Sequence, residues 1–364
     1  MNIQRNAGAA DLERVAGAFR AGEHVYAREG SPLYANLARA GADDPAIVEL
    51  AGHGMAGAPP VHLFTSVHFM LLGGLDDPLA RFFPTLTENP APPEDAYPGF
   101  RRFCLRHYDE LKHLLQTRSV QMTYPDRCRN LVPPLSLVAD LAGEPLNLIE
   151  IGCSAGVLLV FDRYAYELRG DGERIGPADA PFVLQGRVVG GPALRIPQIG
   201  RRTGIDLNLI DPRSGEDRRW MLATCFPELL GQQARLAQAM DIVAETDIRW
   251  LEGDALLHLP QALAETPDPV CVYHSACLMY WPAGARAALR QQFIEASRAR
   301  TIYRVGIEPS ERLDSVMRGA ADGEARDAAL PSGEVSVTRY RDGRVDMQVV
   351  AESSVTSGTV TWPT

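Results

Sequence analysis

The residues best suited to chemistry sit where apolar runs end. Glu150, Gly152, Ser154 and Gly156 fall within L-N-L-I-E-I-G-C-S-A-G-V (Leu146–Val157), an apolar run that breaks at glycines. Leu146, Leu148, Ile149 and Ile151 predict a buried parallel strand. Val157, Val160, Phe161, Tyr164 and Leu168 recur at helical spacing, which predicts a helix after the turn. Such a turn lets backbone pass close to a ligand, and the Ser154 hydroxyl and the start of the helix would favour a carboxylate there. Asp206, at the end of an expected second strand, suits the two hydroxyls of a ribose, with Asp211 as the fallback. Asp254 follows an expected third strand and also suits a helix cap. His274, at the end of a fourth, suits a general base or a hydrogen-bonded core position.

Three chemistries compete for the turn. G-C-S-A-G satisfies the nucleophile elbow G-x-S-x-G, but a triad needs an acid and then a histidine after Ser154. His274 is the last histidine of the chain and lies on or beside a strand, so the hydrolase reading is the weaker. A dinucleotide fingerprint needs glycine where Ser154 and Val157 stand. A ligand without a pyrophosphate tolerates both residues.

The elements that must position these residues follow an α/β order. Residues 1–130 read as helical: Asp11–Arg20, Ala46–Leu50, Val61–Leu72 and one long helix carrying Phe100, Phe103, Cys104, His107, Leu111, Leu114 and Leu115 on one face. Leu135–Leu141 then delivers the chain to the first strand. After Leu168 comes an irregular insertion at 170–202, with an expected hairpin around Gly190-Gly191. Strands are expected to end near Ile205-Asp206 and to cover Asp247–Leu251, Val270–His274 and Thr301–Ile307. Helices alternate with them at Glu216–Thr224, Pro227–Ala244 and Ala283–Arg298. Val335–Tyr340 and Val345–Val350 flank R-D-G-R, a tight hairpin signal.

E-x-G-x-S-x-G resembles the first motif of S-adenosylmethionine methyltransferases, and five strands alternating with helices before an antiparallel hairpin resemble the class I order of that group. Within L-E-G-D-A-L (Leu251–Leu256), Asp254 and the Ala255 amide resemble its adenine-binding pair. E-I-G-C-S-A-G, D-R-Y-A-Y (Asp162–Tyr166), G-I-D-L-N (Gly204–Asn208) and C-F-P-E (Cys225–Glu228) together resemble, over essentially the whole chain, a bacterial domain-of-unknown-function family with a methyltransferase-like fold. Where that family often reads Q-T-N-E followed by Arg, this chain reads Q-M-T-Y-P-D-R and keeps Gln121 and Arg127.

The resemblance implies a Rossmann-like, mostly parallel sheet over 131–364 with a C-terminal antiparallel hairpin, and an all-helical cap or substrate domain over 1–130. It implies S-adenosylmethionine as cofactor, held by Glu150, Gly152, Ser154, Gly156, Asp206, Asp254 and Ala255. A small-molecule acceptor would meet Gln121, Tyr124, Arg127 and Arg163, with His274 and Tyr280 as the reacting-side residues. A ligand-binding protein without turnover on the same fold is the alternative.

Composition narrows the partners. The chain has 364 residues, 46% hydrophobic and 23% charged, with a formal net charge of −10. That balance argues for a globular protein and against a nucleic-acid backbone as partner. No run reaches the roughly 18 apolar residues of a membrane span, and the first residues lack a signal-peptide core. The expectation is a cytoplasmic monomer or homodimer. Six cysteines without C-x-x-C and eight histidines without H-x-x-x-H give little support to a metal or disulfide framework.

Overall fold

A computed structural model describes residues 9–54, 58–308, 333–354 and 358–362. The described residues divide into two compact units, one drawn from 1–122 and 213–237, the other from 123–212 and 238–364. The sequence, by contrast, predicts a boundary near 130 and places 213–237 with the sheet.

The first unit is helical. It contains α1 (Ala9–Arg28), α2 (Pro32–Gly41), α3 (Pro45–Ala51), α4 (Pro59–Leu72), α5 (Tyr97–Arg106) and α6 (Tyr108–Thr117). Its core is organised around Phe64 on α4, whose ring meets those of Phe19, Tyr26, Tyr34 and Phe100 at centroid distances of 4.9–6.0 Å. These edge and tilted contacts are the favoured aromatic geometries. The single long helix expected through Phe100–Leu115 is broken at His107 (φ −108°, ψ 32°) into α5 and α6. There the imidazole packs on Phe103 at 4.7 Å.

C-F-P-E has a structural use in this unit. The Glu228 carboxylate accepts the Ser31 hydroxyl (2.7 Å) and the Leu33 amide (2.8 Å), closing the N-terminus of α2.

Further along the chain come α7 (Cys128–Ala142), β1 (Leu146–Ile151), β2 (Ala165–Glu167), β3 (Arg174–Ile175), β4 (Val183–Gln185), β5 (Arg187–Val189) and β6 (Ile199–Asp206). They are followed by α8 (Gly215–Ala223), α9 (Leu230–Glu245), β7 (Arg249–Glu252), α10 (Ala255–Glu265), β8 (Val270–Ser275), α11 (Ala283–Ala296) and β9 (Ile302–Glu308). The last strands are β10 (Gly333–Arg341), β11 (Arg344–Ser354) and β12 (Thr359–Thr361). Nine strands form one mixed, mostly parallel sheet in the order β7-β6-β1-β8-β9-β10-β11-β12-β5. Its five parallel strands, counted among themselves, run 3-2-1-4-5. The strand order therefore reverses between β1 and β8, and the crevice beyond their carboxyl ends is where open α/β sheets take ligands.

The two faces of the sheet differ. Ile149, Ile151, Val272 and Ile302 join α10 and α11 in one apolar cluster with Leu259, Leu289 and Phe293. Glu150 and Tyr273, paired in register, alternate onto the other face. The tight β10–β11 turn is carried by Asp342 (φ 53°) and Gly343 (φ 72°), a residue pair suited to two left-handed positions.

Two expectations fail here. The hairpin at 182–196 does not form: β4 lies parallel to β2 in a small three-stranded sheet, while β5 lies parallel to β12 at the edge of the large one. Nor does a helix follow the Gly152 turn. Residues 152–160 run as turns into one 3-10 turn at Phe161–Arg163, then into β2. Val157–Phe161 is apolar on every side and carries β-branched valines, so it has no polar face to leave in water. All five residues are buried.

Removing the Glu228 carboxylate by Glu228→Ala should cost about 1.5–3 kcal/mol, the range for hydrogen bonds to a charged group, with Glu228→Gln recovering part of it. Urea unfolding midpoints check this. Equal midpoints for Glu228→Ala and wild type would contradict the capping role.

Candidate functional site

Backbone geometry marks the crevice first. Among the described residues, three non-glycines have left-handed φ, and two of them, Ser154 (φ 52°) and Ala276 (φ 49°), lie just beyond the carboxyl ends of β1 and β8. Such conformations persist where surrounding structure fixes them, and they concentrate at functional sites.

Ser154 is fixed by Asp206, at the end of β6. Asp206 Oδ2 accepts the Ser154 amide (2.7 Å) and Oδ1 accepts the Asn208 amide (3.0 Å). The Asp206 carbonyl takes the Gly253 amide (2.8 Å), tying the β6 and β7 ends together. Asp254 then caps α10 by accepting the Leu256 amide (2.8 Å), with Ala255 opening the helix. The Ser154 side chain is enclosed, with the residue 1% exposed. Without a following helix to lift it from the sheet, it lacks the setting of a nucleophile elbow.

The glycines serve packing. A Cβ at Gly152 (φ 79°) would lie 2.5 Å from Cys277 Sγ and 2.9 Å from its Cβ. One at Gly156 (φ 72°) would lie 2.5 Å from the Trp250 ring. Side chains of the protein already fill the space that the motif leaves for backbone approach to a ligand.

Glu150 lies fully buried one pleat before the turn, accepting the Tyr273 hydroxyl at 3.1 Å. Burial raises its pKa well above the usual carboxylate range; the Tyr273 bond and the Arg127 charge oppose this, while Asp206 adds to it. Arg127 comes in from the helical run that opens α7 and donates through Nη1 to the Ser275 carbonyl (3.2 Å). Burial lowers its pKa, and Tyr124, Tyr280, Glu308 and Glu150 act on it electrostatically in the opposite sense. Tyr124 is buried, whereas Tyr280 is 75% exposed. Glu150, Tyr124, Arg127 and Tyr280 are thus brought together.

His274 alternates onto the opposite face, where it is fully buried. Arg304 Nε donates to its Nε2 (3.0 Å), so the ring proton is on Nδ1 and is donated to Glu308 Oε1 (2.6 Å). With both ring nitrogens engaged and no exposure, His274 is a structural link; the general-base assignment from sequence is replaced by this geometry. Gly306 makes room for the chain of contacts, since a Cβ there would lie 2.6 Å from Arg304 Nη2 and 3.1 Å from His274 Cε1.

Glu308 was missed by sequence reasoning. Beyond His274, its carboxylate accepts the amides of Cys277 and Leu278 (both 3.1 Å) and Met279 (3.3 Å). Burial works against its charge, but the His274 bond and these amides hold its pKa below the usual range. It therefore shapes the loop after β8 that carries Tyr280. An acid directly after the apolar Thr301–Ile307 run, at the end of an expected strand, was the available signal.

Arg163 is on the surface, 3.9 Å from Asp162, while Asp162 pairs closely with Arg202 (2.8 Å). Gln121 belongs to the helical unit. Among the described residues, no group of three or more His, Cys, Asp or Glu could hold a metal ion, and no helix is long and apolar enough to cross a membrane.

The sequence match decides the family. Residues 16–362 match DUF2332, described as an uncharacterized protein conserved in bacteria. The chain belongs to that family. No curated protein matches its sequence. The match spans both units, so the DUF2332 pattern includes the helical residues as well as the sheet and its crevice.

Gly152→Ala should destabilise the fold by about 1–3 kcal/mol through overpacking and left-handed strain. Cys277→Ala in the same chain should restore part of the loss, which a double-mutant cycle would read as coupling. Independent effects would mean that Cys277 does not set the space at Gly152.

For Glu150 the sign follows from its raised pKa. The folded state keeps a proton that the unfolded chain releases near the ordinary value of 4.5. Wild-type stability therefore falls as pH rises from there towards the folded pKa, by up to about 1.4 kcal/mol per pH unit. Glu150→Gln has no proton to lose, so its stability relative to wild type should improve between pH 5 and pH 8. A difference independent of pH in denaturant titrations would rule out a buried, proton-retaining Glu150.

Proposed function

We propose that the protein is an S-adenosylmethionine-dependent methyltransferase-like protein acting on a small molecule in the crevice beyond β1 and β8. The observation that carries this reading is the switch point of the 3-2-1-4-5 strands, flanked by left-handed Ser154 and Ala276 and by the Asp206 carboxylate.

The residues fit the nucleoside half of the cofactor. Asp206, whose carboxylate holds the Ser154 and Asn208 amides, stands at the strand end where ribose hydroxyls would approach. Asp254 and Ala255 lie at the neighbouring strand end, where an adenine would approach. They do not fit the amino-acid half as the motif implies, because no helix N-terminus follows the Gly152 turn and both glycine spaces are filled. S-adenosylmethionine would supply an electrophilic methyl group. This chain's part would be positioning and exclusion of water, with Tyr280 the exposed hydroxyl at the rim.

Ligand binding without turnover is the second reading, favoured by the structural employment of His274. Calorimetric titration with S-adenosylmethionine and S-adenosylhomocysteine tests the cofactor, and formation of S-adenosylhomocysteine in the presence of a metabolite pool tests turnover. Saturable heats that vanish in Asp206→Ala are expected. No heat at millimolar cofactor would defeat the methyltransferase reading.

A further inference from the structure

We propose that the crevice beyond β1 and β8 contains a carboxylate-binding subsite formed by the Arg127 guanidinium, the Ser275 hydroxyl and the Asn130 amide. The proposal deepens the crevice reading above and rests on it for the location. Its origin is the missing helix: a ligand carboxylate at the Gly152 turn has no helix dipole to meet, so its counter-charge must come from elsewhere around the strand ends.

Arg127 is the cation there. Its Nη1 rests on the carbonyl of Ser275, which brings the guanidinium beside that residue's side chain. The Ser275 hydroxyl is buried without a hydrogen-bond partner, the residue being 7% exposed. Asn130 follows Arg127 by three positions along the helical run from Pro125 into α7, which sets both on one side of it. Asn130 is 1% exposed, and both its amide oxygen and its amide nitrogen lack partners. Buried side-chain polar atoms are in large majority partnered. Two unpartnered polar side chains around a half-buried guanidinium are the complement of a small planar anion, since all three groups can donate to its two oxygens.

The neighbouring acids do not cancel this preference. Glu150 is pushed towards its neutral form by burial, and the Glu308 charge is taken by His274 and three backbone amides. The carboxylate could be the amino-acid tail of the cofactor or a group on the acceptor. Both have the same recognition chemistry.

The test uses the full chain and four probes: S-adenosylhomocysteine, 5′-methylthioadenosine (the same nucleoside without the amino-acid tail), benzoate and benzamide. Expected is a loss of about tenfold or more in Arg127→Gln for S-adenosylhomocysteine but not for 5′-methylthioadenosine, which assigns the subsite to the cofactor tail. The same loss seen for benzoate alone assigns it to the acceptor. Ser275→Ala, which keeps every backbone contact, should weaken the same probe by about fivefold, and it keeps the test informative should Arg127→Gln unfold. Affinities for S-adenosylhomocysteine and benzoate both within about twofold of wild type in both variants, benzamide binding as well as benzoate, or no probe binding at all would overturn the proposal. Benzoate binding that depends on Arg127, with neither nucleoside bound, would uphold the subsite and defeat the methyltransferase reading. Binding of S-adenosylhomocysteine, with its affinity and that of benzoate indifferent to both variants, would do the reverse.

Discussion

A stretch of irregular chain buried against a sheet must find a partner for each backbone polar group, and the 152–163 segment is such a stretch. Residues 153–161 of it are buried, and its own turns satisfy part of the need, the Cys153, Gly156, Leu158 and Val160 carbonyls accepting amides from within the segment. The surrounding side chains supply further partners. Tyr164 donates its hydroxyl to the Val157 carbonyl (2.8 Å) and Tyr166 to that of Phe161 (2.6 Å). Arg202 on β6 donates to the Leu159 carbonyl (2.8 Å) and holds Asp162 with the same guanidinium. Asp206 takes the Ser154 amide. D-R-Y-A-Y and G-I-D-L-N, which resemble family motifs, are thus parts of one scaffold that keeps an unusual turn in place. Burial accordingly pushes the Tyr164 and Tyr166 phenols well above their usual pKa, so both remain hydrogen-bond donors.

Around that turn two buried carboxyl groups are pushed in opposite directions. Glu150, which accepts the Tyr273 phenol, has its pKa raised by burial; Glu308, held by an imidazole and three amides, has its pKa lowered. Environments that separate the states of paired acids are a feature of sites where protons or anions are handled. They also fix what each face of the sheet can do. On one face Glu308 joins His274 and Arg304 in an internal network, whereas Glu150 shares the other with Tyr273 and Ser275, whose carbonyl takes Arg127.

Much of the sheet is legible in the sequence, because strands buried on both faces read as mostly apolar runs with few polar interruptions: β1, β8 and β9 lie within a residue or two of their expected bounds. The R-D-G-R hairpin followed from its left-handed pair. The site was legible in part. Asp206 and Asp254 stand at strand ends as expected, but each has a backbone task that letters alone do not reveal. Local periodicity misleads at Val157–Leu168, where apolar residues recur at helical spacing but the first five, Val157–Phe161, include no polar residue; the second fact outweighs the first. The long helix through His107 failed for a different reason, since its apolar stripe continues across the break. The 182–189 strands depart from the expected hairpin because each pairs with a remote partner, β12 or β2, and pairing at that range leaves no local signal.

The glycines illustrate the limit of motif reading most directly. A glycine in a sequence says that a side chain is excluded, not what excludes it. At Gly152 and Gly156 the excluding atoms belong to Cys277 and Trp250; a cofactor would produce the same letters. Ser154 and Ala276 carry the converse information, since side chains are retained at left-handed positions where glycine would cost less strain. At these two residues, the neighbouring contacts must offset the strain. For Ser154 the Asp206 carboxylate provides one such contact, and beyond Ala276 the Glu308 carboxylate gathers three successive amides. Two acids at the ends of two different strands therefore hold the two lips of the same crevice, and any ligand that enters it meets a backbone whose shape was set before its arrival.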